Sequence, residues 1–600
     1  MSEHYETGSG GINRRELLKY GGGALASGFV LSEVSDEAQA SHGPSADLAA
    51  PVHPANHDAS GLLYGLSNDG SAPGDVWLES FDHGLQVGGG ARIGDGGYGT
   101  GTDYAARWDQ VEQQYQRVTN PPHNAEYCIR MSDLWGADAT QADSDPHPGD
   151  NGDWSTYYDF LDQVMADIDA AGMARDEIQY EIWNEPDLDL FWPRPRSQYW
   201  EMWQRGVNYI RDNHPNARIV GPGHTHYDRT LMSEWLDMTV DTGTEPDILN
   251  WHDLQTGDDA VNAANEIRDL LSQRGLGGIP LEINEYVPDG LENPGYTAWD
   301  LARVEKSDVD YAALANWQYC CSTPALCATL EEDGSDPNGR WWLYNRYGRS
   351  RGDVVASTTD GSIDSAANVN PEGTQSRVIV GNNGYSGTVE FTLHNVDQID
   401  PDRVRIKVER MPDQEPLGAP IVDQDYSVAP SGSDTTVTLD WSTETDAFVI
   451  TVTPATPSLS DGTYYVEAAH SGKYLEVANA GTQNGDNVRQ YADTGCSCQQ
   501  WNVTNVGDSI YRFENVNSGK VMDVEGVSTD NGANVFQWDD VGGDNQRFYV
   551  EETRSGVYRI EAAHSGKVVD VEGASTSDGA NVHQWPDRSE DQQRWRFIPV

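Results

Sequence analysis

Two glutamates stand where chemistry is possible. Glu185 lies in Tyr180-Glu-Ile-Trp-Asn-Glu-Pro-Asp187 and Glu285 in Leu281-Glu-Ile-Asn-Glu-Tyr-Val287. Each follows a short apolar-rich run that reads as the end of a strand. A pair of carboxyl groups across one cleft is the minimum apparatus for breaking a glycosidic bond. One donates a proton to the leaving oxygen while the other, ionised, works from the opposite side. The pair is one hundred residues apart, so the elements between them must bring them together.

Those elements alternate. Strands are predicted at Leu62–Leu66, up to Ala91-Arg92, and at Ala125–Met131, Ile178–Trp183, Arg218–Gly221, Asp247–Trp251, Ile279–Asn284 and Tyr311–Trp317. Helical periodicity fills the gaps at Asp75–His83, Asp103–Val118, Trp154–Ala171, Ser197–Asn213, Arg229–Val240, Asp259–Gln273, Thr297–Glu305 and Trp341–Arg349. Eight strand–helix units over residues 61–352 are the count and length of a (β/α)8 TIM barrel. Parallel pairing with right-handed crossovers puts every strand's C-terminal end on one face. Glu185 then ends strand four and Glu285 strand seven. Arg92, Trp251-His252 and Trp317 end theirs. Glu282 is a rival nucleophile. Strand alternation turns it to the face opposite Glu285, and the strand-end position favours Glu285.

An Asn-Glu-Pro after strand four with a Glu after strand seven resembles the clan A glycoside hydrolases. Val220-Gly-Pro-Gly223 and Glu285-Tyr286 bring the likeness nearest to family 39. The resemblance implies a retaining two-glutamate mechanism, with Glu185 as acid/base and Glu285 as nucleophile. It implies that Asn184 binds the sugar hydroxyl beside the anomeric carbon. Arg92 would keep the nucleophile charged, His252 would orient the acid/base and Trp317 would floor the sugar site. Where family members often carry His-x-Tyr after strand six, this chain has Trp251-His252-Asp253. Xylan-type substrates follow from the same likeness. No cofactor or metal is implied.

Past residue 352 the pattern changes. Short alternating runs at Ser376–Val380, Gly387–His394, Arg403–Glu409, Thr435–Asp440 and Ala447–Thr453 predict a β-sandwich over residues 353–455. After a linker at 456–463, residues 464–600 repeat three times with a period of 47. Tyr464, Tyr511 and Tyr558 align, as do Ser471-Gly-Lys473, Ser518-Gly-Lys520 and Ser565-Gly-Lys567. Gln499-Gln-Trp501, Gln546-Arg-Phe548 and Gln593-Arg-Trp595 close the repeats. These motifs resemble the ricin-type β-trefoil lectins, carbohydrate-binding module family 13. There an early Asp accepts sugar hydroxyls while a later aromatic stacks on the ring. The implied contacts are Asp523, Trp538 and Asn545 in repeat two and Asp570, His583, Trp585 and Gln592 in repeat three. Repeat one carries Glu476, Tyr491 and Cys498 instead.

A net charge of −59 excludes nucleic acid as a partner, since phosphate binding needs basic patches. The acids are dispersed among aromatic and β-branched residues and only six lysines appear, which resembles the surface of extreme-halophile proteins. Residues 1–40 read as an export signal. Arg14-Arg15 precedes a mildly apolar stretch, Tyr20 to Leu31, and Ala38-Gln-Ala40 offers a cleavage site. This looks like a twin-arginine (Tat) signal, too short for a membrane span. Residues 41–60 read as a linker. Six cysteines without zinc spacing allow one or two disulfides. The Asp-rich run 143–153 reads as a solvated loop rather than a calcium site. The whole predicts a secreted glycosidase that holds a polysaccharide with its trefoil. The competing class is a non-catalytic, lectin-like extracellular protein with a degenerate barrel.

Overall fold

The computed structural model describes residues 43–89, 101–135, 146–174, 178–255, 257, 259–318, 323–430, 432–455, 459–507 and 509–600. The expected export signal and Arg92 lie outside the described residues, as do Cys320, Cys321 and part of the Asp-rich run. Eight parallel strands close a barrel: β2 Gly61–Leu63, β3 Leu85–Gly88, β4 Glu126–Arg130, β5 Ile178–Glu181, β6 Arg218–His224, β7 Ile248–Asp253, β8 Leu281–Tyr286 and β9 Tyr311–Leu314. The apolar residues of these eight strands are buried apart from the half-buried Tyr311, because each strand is covered by helices outside and side chains inside. Helices such as Arg196–Asn213 and Ala260–Gln273 bury one face, for example Trp203, Val207 and Ile210, against the strands.

The segment expected as a linker is not one. Ser45–Pro54 forms β1, paired antiparallel to β10 (Asp353–Thr358) and parallel to β13 (Gly387–His394). Its first residues alternate half-buried and buried, so Ala46 and Leu48 enter the core of the second domain. With β11 Ile363–Val369, β12 Ser376–Asn382, β14 Val404–Met411, β15 Ile421–Val428, β16 Thr435–Trp441 and β17 Ala447–Pro454, nine strands run in the order 15-14-17-12-11-10-1-13-16. Residues from both ends of this path, such as Phe391 and Leu439 with Ile406 and Ile450, share one apolar cluster, which makes the sheet a sandwich.

Helix Pro294–Lys306 lies across β11 and β12. A Cβ at Gly381 would sit 2.0 Å from the Trp299 backbone nitrogen, so only glycine permits this contact. The C-terminal domain carries twelve short strands from Gly462 to Pro599. Its threefold symmetry is visible in hydrogen bonds. Ser471, Ser518 and Ser565 donate to Gln490, Gln537 and Gln584 at 2.7, 2.6 and 2.7 Å. Asn487, Asn534 and Asn581 link the three repeats to one another. The trefoil sits on the sandwich through buried ion pairs. Arg405 on β14 meets Glu551 at 2.6 Å and Glu561 at 2.8 Å. A disulfide joins Cys496 to Cys498, while Cys128 and Cys327 are buried thiols. No helix among the described residues is long and apolar enough to cross a membrane.

Candidate active site

Glu185 stands four residues past β5, the fourth barrel strand, and is fully buried. Its backbone takes φ 46°, a left-handed conformation that costs a non-glycine residue of order 1 kcal/mol or more. The cost is offset by a local hold: the Glu185 N–H donates to the Gly223 carbonyl at 2.8 Å. Gly223 itself has φ 68°, and a Cβ there would lie 2.8 Å from the Trp183 carbonyl and 3.2 Å from Glu181 Oε1. The Val220-Gly-Pro-Gly223 segment thus exists to let two strand ends approach.

Glu285 reaches the same space by a different device. Simple alternation would set Glu282 and Glu285 on opposite faces. The structure corrects this. Trp251 pairs with Ile283 and His252 with Glu285, leaving Asn284 as an extra residue in a β-bulge. The bulge re-aims Glu285 into the barrel mouth, the usual effect of such an insertion. Glu282 points inward too, but deeper, where its Oε1 accepts from Gln179 at 2.6 Å. Burial first, then the Glu126 and Glu181 carboxylates, push its carboxyl up to about 8 against the pull of Gln179 and Arg218. A group mostly protonated at neutral pH is a poor nucleophile, which argues against Glu282 in that role.

The guanidinium beside Glu285 belongs to Arg130, at the end of β4. Its Nη1 donates to Glu285 Oε1 at 2.6 Å and its Nε to Glu181 Oε2 at 2.7 Å. Its Nη2 lies 3.5 Å from His252 Nε2. Burial lowers the Arg130 pKa, but the two carboxylates outweigh it and hold the charge. Glu181 is locked in turn by Asn250 at 2.6 Å and Asn284 at 3.2 Å. Asn250 also accepts from the Gly223 N–H at 2.8 Å, tying the network back to Glu185.

His252 joins the two glutamates. Its Nδ1 lies 3.1 Å from Glu185 Oε1 and 3.8 Å from Glu285 Oε1. Since Nε2 faces the Arg130 donor, the neutral tautomer with the proton on Nδ1 is assigned, donating to Glu185. Asn184 is buried with its backbone N–H on Ser132 Oγ at 3.1 Å. Its Oδ1 has no hydrogen-bond partner among the described residues. Asn316, after β9, is buried with both amide atoms in the same condition. Next to it Trp317 is half-buried and donates from Nε1 to the Val287 carbonyl at 2.8 Å. Val287 follows the Glu285-Tyr286 pair at φ 71°, so this bond fixes the indole beside the end of β8.

Of the expected residues, the structure brings together Glu185, Glu285 and His252, with Asn184 next to Glu185 in the chain and Trp317 bonded to Val287, two residues past Glu285. Sequence reasoning missed Arg130, Glu181, Asn250, Asn284 and Asn316. Arg130 carried a usable signal, since it lies next to the end of the strand predicted at Ala125–Met131, close to where Glu185 and Glu285 stand on theirs.

In the trefoil, Asp523 accepts from Asn545 at 2.8 Å and Gln546 at 2.7 Å, with Trp538 38% exposed above the sheet. Asp570 meets His583 at 3.0 Å, and His583 stacks on Trp585 at 5.3 Å. Gln592, expected beside Asp570, donates instead to Glu590. In repeat one Arg489 occupies Glu476 with bonds of 3.0 and 2.8 Å and lies 4.8 Å from the Tyr491 ring. That acceptor is neutralised from within.

A closed parallel barrel with paired carboxyl groups at its mouth, a sandwich and a trefoil define a glycoside hydrolase-like fold joined to a lectin-type domain. Residues 441–538 and 544–600 match the family described as ricin-type beta-trefoil lectin domain-like. The 3-O-alpha-D-galactosyl-alpha-L-arabinofuranosidase of Bifidobacterium longum subsp. longum is 23% identical over 422 residues, 60% of this chain and 35% of that protein. The 3-O-beta-L-arabinopyranosyl-alpha-L-arabinofuranosidase of Bifidobacterium pseudocatenulatum is 24% identical over 383 residues, 56% of this chain and 37% of that protein. The chain therefore spans about a third of the length of these curated relatives. The solved structure of N2152 from Neocallimastix frontalis is similar in fold, with TM-score 0.56 and 22% identity over 68% of this chain and 98% of that chain.

Proposed function

We propose that this protein is a retaining glycoside hydrolase acting on a polysaccharide or oligosaccharide that its trefoil helps to hold. One observation carries the reading. An oxygen of Glu185, an oxygen of Glu285 and a ring nitrogen of His252 lie within 4.8 Å of one another. Carboxyl groups about 5–5.5 Å apart suit double displacement, whereas inversion needs about 6.5–9.5 Å to admit water between them. Arg130 holds Glu285 as the carboxylate that attacks the anomeric carbon. Glu185 gives a proton to the departing oxygen, leaving a glycosyl ester on Glu285. Glu185 then takes a proton from water, which attacks the same carbon and releases a sugar of retained configuration. The Asn184 Oδ1, without a hydrogen-bond partner among the described residues, is suited to a sugar hydroxyl at the reacting centre.

The substrate we infer is a pentose-containing chain. The family 39 resemblance implies xylan-type sugars, and the names of both curated relatives carry alpha-L-arabinofuranosyl linkages. Export of the folded chain is part of the proposal and rests on Arg14-Arg15 and the stretch after them. The test is an aryl glycoside panel including β-D-xyloside and α-L-arabinofuranoside. Glu285→Ala should abolish hydrolysis, and azide should restore turnover to a glycosyl azide of inverted configuration. Undiminished activity in that variant would remove Glu285 from the nucleophile's place, whereas a wild type inert across the panel would return the protein to the non-catalytic lectin class.

A further inference from the structure

Where barrel, sandwich and trefoil meet, a narrow cleft of about 30 Å³ is lined by Arg346, Arg349, Arg377, Lys407 and Arg559, against only two carboxylates, Glu409 and Asp587. This is the reverse of a chain whose net charge is −59. Three of the cations have carboxylate partners. Arg346 grips Glu409 with two bonds of 2.9 Å. Lys407 lies 3.1 Å from Glu561, and Arg559 lies 3.0 Å from Asp587.

Arg349 and Arg377 are in no ion pair among the described residues. Arg377 Nη1 donates to the Arg346 carbonyl at 3.0 Å and Arg349 Nη2 to Ser80 Oγ at 3.3 Å. The Nε of each is buried without a partner among the described residues. Burial, together with the neighbouring Arg346, draws both guanidiniums down to about 10. Asp587 opposes this for both, joined by Glu590 at Arg349 and Glu409 at Arg377, none of them at ion-pair distance of either arginine. Two guanidiniums taken from water beside like charges are costly unless a counter-charge joins them. A water needs roughly 10–15 Å³ of such space, so the cleft has room for one or two waters or one small anion.

We propose that this junction binds a small inorganic anion, a halide or a compact oxyanion, held by Arg349 and Arg377 as the missing counter-charge between the three domains. Arg349 follows the last barrel helix, Gly339–Tyr347, Arg377 lies on β12, and Arg559 is on the trefoil strand Val557–Ala562. The anion therefore ties the barrel to the sandwich beside the trefoil's Arg559, and its loss should loosen the junction. The fixed fork of guanidinium donors matches the oxygens of an oxyanion, and the small volume of the cleft limits it to a compact one or a halide.

The full chain is unfolded thermally at fixed sodium concentration and ionic strength. Sodium gluconate, whose anion is too large for the cleft, is replaced stepwise by sodium bromide, and separately supplemented with inorganic phosphate. A saturable rise in Tm with either anion is expected, and which of the two acts identifies the occupant. Crystals soaked in whichever anion acts should show it between Arg349 and Arg377, bromide by its anomalous signal. Arg377→Gln and Arg349→Gln, made separately so that one poorly folding variant does not decide the matter, should each erase the anion-dependent rise while keeping Tm in gluconate at or above wild type. No rise with either anion, an unaltered rise in both variants, or an empty junction in the soaked crystals overturns the proposal.

Discussion

At the scale of single residues, the site is a chain of charges in which each member fixes the next. Asn250 and Asn284 hold Glu181, Glu181 and Glu285 hold Arg130, and Arg130 sets the tautomer of His252, which donates to Glu185. Arg130→Met should therefore lower kcat/KM on an activated aryl glycoside by roughly 10²–10³-fold, the usual effect of removing one electrostatic partner of a reacting group. Steady-state kinetics on a variant with unchanged circular dichroism checks this. Glu282 gives a second prediction. Its folded-state pKa of about 8 lies above its ordinary value of 4.5. Between those values the folded chain holds a proton that the unfolded chain has released. Its contribution is thus fully present below pH 4.5 and is lost as pH rises through 8. Glu282→Gln removes that slope, so Tm should fall less between pH 5 and pH 8 than in wild type, while hydrolysis persists. A variant that loses all activity yet stays folded would make Glu282, not Glu285, the residue to reconsider.

At the scale of elements, alternation and irregularity share the work. The eight strand–helix units were legible because apolar runs and amphipathic helices follow from burial on one or both faces. What the pattern could not show is where a strand breaks its own period. The bulge at Asn284 and the left-handed turns at Glu185 and Gly223 aim the two carboxyl groups, and each depends on a neighbouring strand. β1 was hidden for a similar reason. Its alternation fades after Leu48, and its partners lie some three hundred residues away. Gly223→Ala should cost about 1–3 kcal/mol, because it combines an unfavourable φ with a Cβ close to the Trp183 carbonyl. It should also lower kcat more than it raises KM, since it moves Glu185 rather than the sugar-binding groups. Urea denaturation and a full kinetic comparison separate the two effects.

At the scale of the whole molecule, three domains share one surface of strongly acidic character. Exposed charges of one sign repel over about 10 Å at 0.1 M salt but only about 3 Å at 1 M. Tm should therefore rise steeply with added sodium salts, including gluconate, and a chain equally stable without salt would refute this reading of the −59 charge. For the trefoil, Trp538→Ala should weaken retention on insoluble polysaccharide by about tenfold, in keeping with one lost stacking contact. Tyr491→Ala should leave it unchanged, because Arg489 already occupies Glu476. Hydrolysis of small aryl glycosides should be unaffected by both. The sequence by itself determined the barrel, the threefold repeat and the two glutamates, since periodicity, spacing and motif are local properties of the chain. Only the tertiary structure decided that Arg130 neighbours Glu285, that a bulge lets Glu285 face Glu185, and that two arginines in no ion pair among the described residues meet at the domain junction. These are contacts between segments distant in sequence, and no local pattern encodes which of them will touch.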